Sequence, residues 1–279
     1  MADSNGNTGL MLKAGYPLGR GFDAAARLNL QHYLFKDLLG YELHPNIPVR
    51  SSDSNFRVAD IGTGTGIWLT AVHQKLPSAQ LDGFDNCVDQ YPPKEWLPSN
   101  VSLQALDICE GIPEELLGKY DVVHVRHFLL VVNDDPLILL KNLVALLRGY
   151  LQWVEYDPSS VYTDRIDPDL PRTATEEFLA TIKSRRNYDW VAKLPEYFEM
   201  TGLATSVSAS YPVPPGMRMS FTYVQLLAAE ELSLVALDNS GPESSGNVFR
   251  RLLNAVFEES KSGVSMVWSA RVCVGRRRS

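Results

Sequence analysis

The chain has 279 residues, of which 45% are hydrophobic, 21% charged and 10% aromatic. This composition is typical of a globular protein and excludes a disordered chain or a collagen-like repeat. The net charge of -7 argues against duplex nucleic acid as the main partner, because an acidic surface repels phosphates. The length fits one large domain, or one domain with a small cap, since domains hold roughly 100–200 residues.

Cysteine is sparse, with only Cys87, Cys109 and Cys273 in the chain. This odd count does not make a disulfide framework and favours a reducing, intracellular environment. The first seven residues are polar and lack the apolar segment of a signal peptide. No run of about 18 apolar residues, the length that spans a bilayer, occurs in the sequence. We therefore expect a cytoplasmic protein with no membrane partner.

The first half of the chain combines helical and extended patterns. Residues 1–15 are predicted to form a loose tail, and apolar residues at helical spacing predict a helix over 23–40 that ends at Gly40. A polar, proline-containing linker follows over 44–55. The pattern then predicts strands over 56–61, 79–84, 101–106, 120–125 and 150–155, with helices over 67–76 and 137–147. This alternation argues for an α/β fold with a doubly wound parallel sheet.

The last third of the chain is richer in helical patterns. Helices are predicted over 173–186, 190–200, 219–237 and 247–260, and strands over 204–211 and 264–274. The expected architecture is a five-strand core with two further C-terminal strands, an N-terminal helix and a helical C-terminal cap.

The strongest motif is Asp60-Ile61-Gly62-Thr63-Gly64-Thr65-Gly66, at the point where a predicted strand becomes a helix. Glycine permits positive φ angles and lets a ligand approach the backbone closely. A dinucleotide-binding turn has the pattern G-x-G-x-x-G, whereas here the third glycine comes one residue earlier. The carboxylate of Asp60 would repel a pyrophosphate and suits a ligand that carries an ammonium group.

Two further acids follow at the ends of the next predicted strands. Asp85 comes about 20 residues after the turn, where an acid binds ribose hydroxyls. Asp107 can accept a hydrogen bond from an adenine amino group, and the neighbouring Ile108 can pack on the ring. Each acid alone also fits a strand-end cap or a solvated residue. Together with Asp60 they predict a site for S-adenosylmethionine (SAM), at the sheet edge where open α/β sheets bind ligands.

These motifs resemble class I SAM-dependent methyltransferases of fungal secondary metabolism, including the LaeA-like group. Similar segments are the pre-core helix motif at 27–32, the lead into the third strand at 96–101, the fourth-strand end at 123–126, the fifth strand at 150–155 and the last strand at 272–276. The resemblance covers residues 16–157 well and the rest loosely. One departure is the family's Pro-Gly-Gly before the fifth strand, which is replaced here by the shorter Leu147-Arg148-Gly149-Tyr150.

The resemblance implies a Rossmann-like, seven-strand class I methyltransferase fold, with SAM as cofactor and S-adenosylhomocysteine (SAH) as product. It divides the chain into an N-terminal tail and lid helix (1–50), a SAM-binding core (51–157) and a substrate cap (158–279). If the lid helix folds over the cofactor, Tyr16 or Arg27 can meet the methionine carboxylate; alternatively Arg27 is a solvated helix residue. The expected cofactor-binding residues are Tyr16, Arg27, Asp60, Gly62, Thr63, Gly64, Gly66, Asp85, Asn86, Asp107, Ile108, His124 and Arg126.

Methyl transfer to a hydroxyl or an ammonium group also requires a base, whereas a thiolate or carboxylate acceptor requires none. His127, just past the fourth predicted strand, is the best candidate, and Glu155 is a weaker one. His127 alternatively forms a hydrogen bond with the backbone of a loop, and Glu155 with amides at the strand end. No Cys/His cluster has zinc spacing, so no metal is expected.

The expected reaction is methyl transfer to an oxygen, nitrogen or sulfur atom of a small natural product. Aromatic residues of the last third, among them Phe221 and Trp268, can line a pocket for a bulky, partly apolar substrate. One alternative is a SAM-binding regulatory protein of secondary metabolism, and another is a SAM-dependent enzyme that catalyses a rearrangement or cyclisation. A closed aromatic surround of His127 favours an enzyme, and an open polar face favours the regulator.

Overall fold

The computed structural model describes residues 16–49, 51–184 and 186–278, so the predicted N-terminal tail lies outside the described residues. The strands are β1 Arg57–Ile61, β2 Gln80–Asp85, β3 Val101–Ala105, β4 Tyr120–Arg126, β5 Leu147–Arg165, β6 Leu203–Pro212 and β7 Val264–Arg277. The α-helices are α1 Phe22–Leu39, α2 Ile67–His73, α3 Leu137–Leu146, α4 Thr173–Lys183, α5 Leu194–Met200, α6 Arg218–Ala236 and α7 Ser245–Lys261. Short 3-10 turns at Lys94–Trp96, Glu114–Leu116 and Pro215–Met217 complete the connections.

The seven strands form one sheet in the order β3-β2-β1-β4-β5-β7-β6. The first five are parallel to one another, whereas β7 runs antiparallel to both β5 and β6. The predicted α/β fold with a five-strand core and two added strands is therefore confirmed. The strand order reverses between β1 and β4, and this reversal opens a crevice at the carboxyl ends of the strands.

Helices cover both faces of the sheet, because successive side chains of a strand point to opposite sides. On one face Val122 joins a core with residues from α1, α2, α4, α6 and α7. On the other face Val123 and Val125 pack with residues from α3 and α5. Helices α1 and α6, which belong to the predicted lid and cap, therefore lie on the same side of the sheet as α2, which follows the glycine turn.

Strand β5 is much longer than the sequence predicts. The expected strand covers 150–155, whereas β5 continues to Arg165. Its first part pairs with β4, and it pairs with β7 from Tyr150 to Arg165, with an irregularity in register between Asp157 and Tyr162. The predicted boundary between core and cap at residue 157 therefore falls inside a continuous strand.

The short sequence in place of Pro-Gly-Gly joins α3 directly to β5, since α3 ends at Leu146 and β5 begins at Leu147. Arg148 donates two hydrogen bonds to the Asp121 carboxylate, from Nε at 2.8 Å and from a terminal nitrogen at 2.7 Å. A Cβ on Gly149 would overlap the carbonyl oxygen of Asp121. Glycine thus allows close contact with the start of β4, at the sheet edge opposite the glycine turn.

Candidate functional site

The glycine turn after β1 requires its three glycines. Gly62, Gly64 and Gly66 have φ angles of 69°, 57° and 75°, in the left-handed region that disfavours other residues. A Cβ on Gly62 would lie 2.5 Å from the ring of Phe128. The Phe84 carbonyl accepts hydrogen bonds from the backbone N–H groups of Gly62 at 2.8 Å and Thr63 at 3.0 Å. These bonds tie the turn to the end of β2.

Asp85 lies at the end of β2 and is buried against the turn. Its carboxylate accepts hydrogen bonds from the backbone N–H groups of Gly64 at 2.9 Å and Cys87 at 3.1 Å. Arg20, from the segment before α1, lies 3.6 Å from the same carboxylate and donates to the Asn86 side chain at 3.2 Å. The structure therefore brings Asp85 and Asn86 to the glycine turn, with Arg20 beside them.

The segment after β3 places Asp107 and Ile108 next to the end of β2, because the N–H of Leu106 donates to the Asp85 carbonyl at 2.9 Å. The Asp107 carboxylate accepts from the N–H of Cys109 at 2.9 Å. Ile108 is buried, and its carbonyl accepts from the Asn142 side chain at 2.7 Å. The acids after β2 and β3 thus share one edge of the crevice.

Asp60 is held by two neighbours. Its carboxylate accepts a hydrogen bond from the Thr63 hydroxyl at 2.7 Å and lies 2.8 Å from Nδ1 of His124. The His124 ring stacks on the indole of Trp68, with ring centroids 3.8 Å apart and an interplanar angle of 3°. Burial lowers the pKa of His124, so the neutral imidazole with its proton on Nδ1 suits this contact. The turn is therefore stabilised by the contacts of Asp60 with Thr63 and His124.

Helix α1 lies over the glycine turn. A Cβ on Gly64 would meet the Leu28 side chain at 3.2 Å, and the Thr65 hydroxyl donates to the Asn29 side chain at 2.6 Å. Tyr16, in the segment before the helix, packs its ring under the Arg20 guanidinium at 4.5 Å. These contacts place α1 against the glycine turn, and Tyr16 contacts Arg20, which lies beside Asp85. That α1 acts as a lid and that Tyr16 binds the cofactor remain predictions.

Arg27 has a different partner from either of those expected. Its side chain is buried and forms a two-point ion pair with Glu231 of α6, at 2.6 Å and 3.0 Å. The alternative of a solvated helix residue is therefore wrong, because only 5% of Arg27 is exposed. Its guanidinium is engaged by the cap and not by the glycine turn.

Arg126, at the end of β4, is a cation of the site that forms no ion pair with a described acidic residue. Within residues 16–49, 51–184 and 186–278, no carboxylate lies within ion-pair distance of its guanidinium. It contacts Nδ1 of His32 at 3.3 Å and lies 5.9 Å from the ring of Phe35. Burial lowers the pKa of Arg126 and also lowers the pKa of His32, to about 4. Because His32 is neutral, it does not add a second positive charge beside Arg126.

His127 follows β4 with a φ of 64°, and it alone has positive φ among the non-glycine residues described. Its ring stands edge-on to Phe35 at 4.5 Å between centroids and is stacked near Tyr156 at 5.0 Å. Neither ring nitrogen has a hydrogen-bond partner among the described residues, although Nδ1 lies 3.9 Å from the Glu155 carboxylate. Such strained, unpaired polar side chains are common at functional sites.

Burial controls the charge of both candidate bases. It lowers the pKa of His127 well below its usual range, and the positive charges of Arg126 and Arg27 act in the same direction. Burial also raises the pKa of Glu155 to about 8, although the amides of Phe128 and Tyr156 donate to the carboxylate. At neutral pH the imidazole and the carboxyl are therefore both largely uncharged.

Several residues of the site are not evident from sequence patterns. Trp68, Phe35 and Gln31 lie at ordinary core spacing on helices, and Glu231 lies 204 residues from its partner Arg27. Their roles follow only from the contacts that the fold brings together. For Arg20, its position just before the lid helix was the available signal.

The described residues hold no group of three or more His, Cys, Asp or Glu side chains suited to a metal ion. Among the same residues, none of the helices combines the length and the apolar character needed to cross a membrane.

A parallel sheet with an antiparallel seventh strand, a G-x-G-x-G turn after β1, acids at the ends of β1 and β2 and an acid just after β3 are the features of class I SAM-dependent methyltransferases. The chain belongs to the methyltransferase-domain family, whose model matches residues 30–203, more than half of its length. The predicted fold class and cofactor class, and the resemblance to fungal secondary-metabolism enzymes, are thus confirmed.

The curated relatives match over only part of their length. The methyltransferase grgD of Penicillium sp is 37% identical over 156 residues, covering 52% of this chain and 53% of grgD. The N-methyltransferase tcpN of Claviceps purpurea is 37% identical over 110 residues, or 39% of each chain. The secondary metabolism regulator laeA of Coprinopsis cinerea is 29% identical over 150 residues, covering 52% of this chain and 36% of laeA. Thus the chain spans about half of grgD and less of the other two.

Among solved structures, a methyltransferase of Haloferax volcanii, in complex with the Trm112 activator, superposes with a TM-score of 0.51. The superposition covers 92% of this chain and 94% of that one, at 15% sequence identity. At this identity the likeness establishes the fold alone.

Proposed function

We propose that this protein transfers the methyl group of SAM to a nitrogen, oxygen or sulfur atom of a small natural product. The observation that carries this proposal is the enclosure of His127. Its unpaired ring nitrogens lie at the carboxyl end of β4, among Phe35, Tyr156 and the nearby Phe221. An aromatic, largely water-free surround suits a partly apolar acceptor and fits an enzyme better than a regulator that presents an open polar face.

The side chains around the glycine turn fit SAM in their donor and acceptor chemistry. The Asp85 carboxylate can accept hydrogen bonds from the ribose hydroxyls, and that of Asp107 from the adenine amino group. Asp60 contacts the turn and can favour the ammonium group through its negative charge. Ile108 supplies an apolar surface for the adenine. When bound, SAM supplies an activated methyl group that the acceptor takes by in-line displacement. The protein's task is then to hold the acceptor and to remove its proton.

Arg126 is the residue we assign to the methionine carboxylate of the cofactor, instead of Arg27. It is a partly buried guanidinium with no carboxylate partner among the described residues, and such a cation is stabilised by an anionic ligand. Arg27 is already neutralised by Glu231.

His127 is the proposed base that takes the proton from the acceptor atom. Because burial lowers its pKa, the imidazole is neutral at physiological pH and a ring nitrogen is available to accept a proton. The Glu155 carboxyl lies 3.9 Å from Nδ1 and is largely protonated at neutral pH, so it can position the ring but supplies no counter-charge. Glu155 is thus a positioning residue in this proposal.

The names of the relatives support nitrogen as the first acceptor atom to test, because three of them are N-methyltransferases: tcpN, verN and gliN. The similarity to the regulator laeA supports a regulatory protein as the alternative. Methyl-labelled SAM, incubated with a panel of amines, phenols and thiols, separates the possibilities. Label in a product together with SAH supports transfer. A product without label, with SAM unconsumed, indicates a rearrangement, and binding without any turnover indicates a regulator.

Cofactor binding is tested by titration calorimetry with SAH. We expect Asp85→Asn to weaken SAH binding by about 10-fold or more, since hydrogen bonds to charged groups contribute ~1.5–3 kcal/mol. Asp169→Asn, exposed and located after β5, is the control and should bind as the wild type does. An Asp85→Asn variant that binds with unchanged affinity would contradict the assigned pocket.

The base is tested with His127→Asn, because asparagine tolerates the left-handed backbone at this position. With an amine or phenol acceptor we expect the rate to fall by ~10²–10⁴-fold while SAH affinity is retained. His73→Asn, on α2 and away from the acceptor side, is the control. An unchanged rate in His127→Asn would show that another group removes the proton.

A further inference from the structure

The ion pair between α1 and α6 has no role in the reaction as derived above. Arg27 and Glu231 are both buried, with side-chain exposures of 5% and 8%. The pair is bidentate, with Nε at 2.6 Å from one carboxylate oxygen and a terminal nitrogen at 3.0 Å from the other. Removing one partner of such a pair leaves an uncompensated charge in the interior, so the pair strongly favours the docked position of α1.

Helix α1 also contacts the glycine turn, through the residues that follow Arg27. Leu28 packs against Gly64, and Asn29 accepts the hydrogen bond of Thr65. The helix is therefore held at neighbouring positions by the cap on one side and by the turn on the other. Because Leu28 and Asn29 contact the turn directly, a movement of this end of α1 would uncover it.

The same ion pair is connected to the proposed base. Arg27 donates to the Gln31 side chain at 3.2 Å, and the Gln31 amide donates to the Tyr156 hydroxyl at 3.4 Å. Tyr156 in turn stacks near His127. A continuous series of contacts thus runs from Glu231 through α1 to the side chain beside the base.

We propose that Glu231 is a positioning residue that latches the lid helix α1 over the cofactor site and fixes Tyr156 beside His127. This inference rests on the proposed function, because the turn must hold SAM or SAH for the latch to act on its exchange. A cap residue then controls how fast the cofactor leaves the core. The pair sets the exchange rate without contacting the cofactor itself.

The test compares SAH release from Glu231→Gln and Glu230→Gln, measured by stopped-flow displacement with excess SAM at a temperature where both variants are folded. Glu230 is the exposed neighbour on the same helix and serves as the matched control. We expect release from Glu231→Gln to be faster by about 10-fold or more, since mutations that weaken a closed state act mainly on dissociation. Amide hydrogen exchange should accelerate in residues 22–39 and remain unchanged in β1 to β4.

A second pair of variants keeps the test decisive if Glu231→Gln folds poorly. Arg27→Lys keeps the positive charge but loses the two-point geometry, and we expect intermediate release. The charge-reversed double variant, Arg27→Glu with Glu231→Arg, should restore slow release. A purely structural role would lower the melting temperature and leave the release rate at the Glu230→Gln level, which would overturn the latch. If the wild-type protein itself fails to bind SAH, the proposed function fails instead.

Discussion

Glu155 shows how burial can outweigh hydrogen bonding at a single residue. Its carboxylate accepts from the Phe128 amide at 2.7 Å and from the Trp153 indole at 3.3 Å, and both bonds favour the charged form. The loss of hydration nevertheless dominates and raises the pKa to about 8. The folded protein therefore holds a proton on Glu155 that the unfolded chain releases near its ordinary pKa of 4.5.

This difference predicts a pH-dependent stability. The contribution of Glu155 is complete below pH 4.5 and is lost as the pH rises to about 8, because the folded state must then bury the charged carboxylate. Between pH 6.5 and 8 the wild type should lose up to about 2 kcal/mol of stability relative to Glu155→Gln, because Glu155 is ionised in the unfolded chain and still largely protonated in the folded protein. Urea denaturation at a series of pH values measures this difference.

The control for that experiment is Glu176→Gln, since Glu176 is exposed on α4 and pairs only with Arg172 at the surface. Its stability should follow the wild-type pH profile. Parallel profiles for the wild type and Glu155→Gln would show that Glu155 titrates at an ordinary pKa in the folded protein.

The sequence predicts contacts between individual residues well when the two partners lie on consecutive elements of the chain. Gly64 and Asp85 lie on consecutive strand ends, so their contact follows from the turn motif and the parallel sheet. The partners of Arg27 and Asp60 do not, because Glu231 and His124 lie 204 and 64 residues away. Sequence spacing alone cannot predict contacts between residues so far apart along the chain. The sequence therefore contains no sign that Arg27 pairs with Glu231 and not with the cofactor.

Among the elements, the junction of α3 and β5 depends on Gly149. Its backbone packs against the carbonyl of Asp121, and Arg148 binds the Asp121 carboxylate. We expect Gly149→Ala to destabilise the protein by about 1–3 kcal/mol, because a backbone carbonyl cannot move aside as a flexible side chain can. Thermal denaturation measures this, with Gly216→Ala as the control, since a Cβ on Gly216 meets no atom within 4 Å.

Because Gly149 lies opposite the glycine turn, the folded Gly149→Ala variant should bind SAH with wild-type affinity. Weakened SAH binding by the folded variant would mean that the two edges of the sheet are coupled.

The element lengths also show a limit of sequence patterns. The local pattern of alternating residues identifies the first part of β5, whereas its extension to Arg165 depends on pairing with β7.

In the whole molecule, core and cap share one sheet. Strand β5 pairs with β4 on one side and with β7 on the other, and helices of both regions pack into a common apolar cluster. We therefore expect one cooperative unfolding transition by calorimetry, which SAH shifts upward as a unit by mass action. Two separate transitions, with only one responding to SAH, would show that the predicted core and cap unfold independently.

The break in register of β5 also bears on how this enzyme family can diversify. Between Asp157 and Tyr162 four residues lie outside the ladder with β7, and Ser159 and Ser160 bond back to Asp157. Irregularities of this kind bend a strand and re-aim the side chains beside them. A change of length here would redirect the part of β5 after Tyr162 while the pairing of its first part with β4 stays in place. Members of this family that differ in length at this point are therefore expected to differ in how the later part of the chain is directed over the same parallel strands.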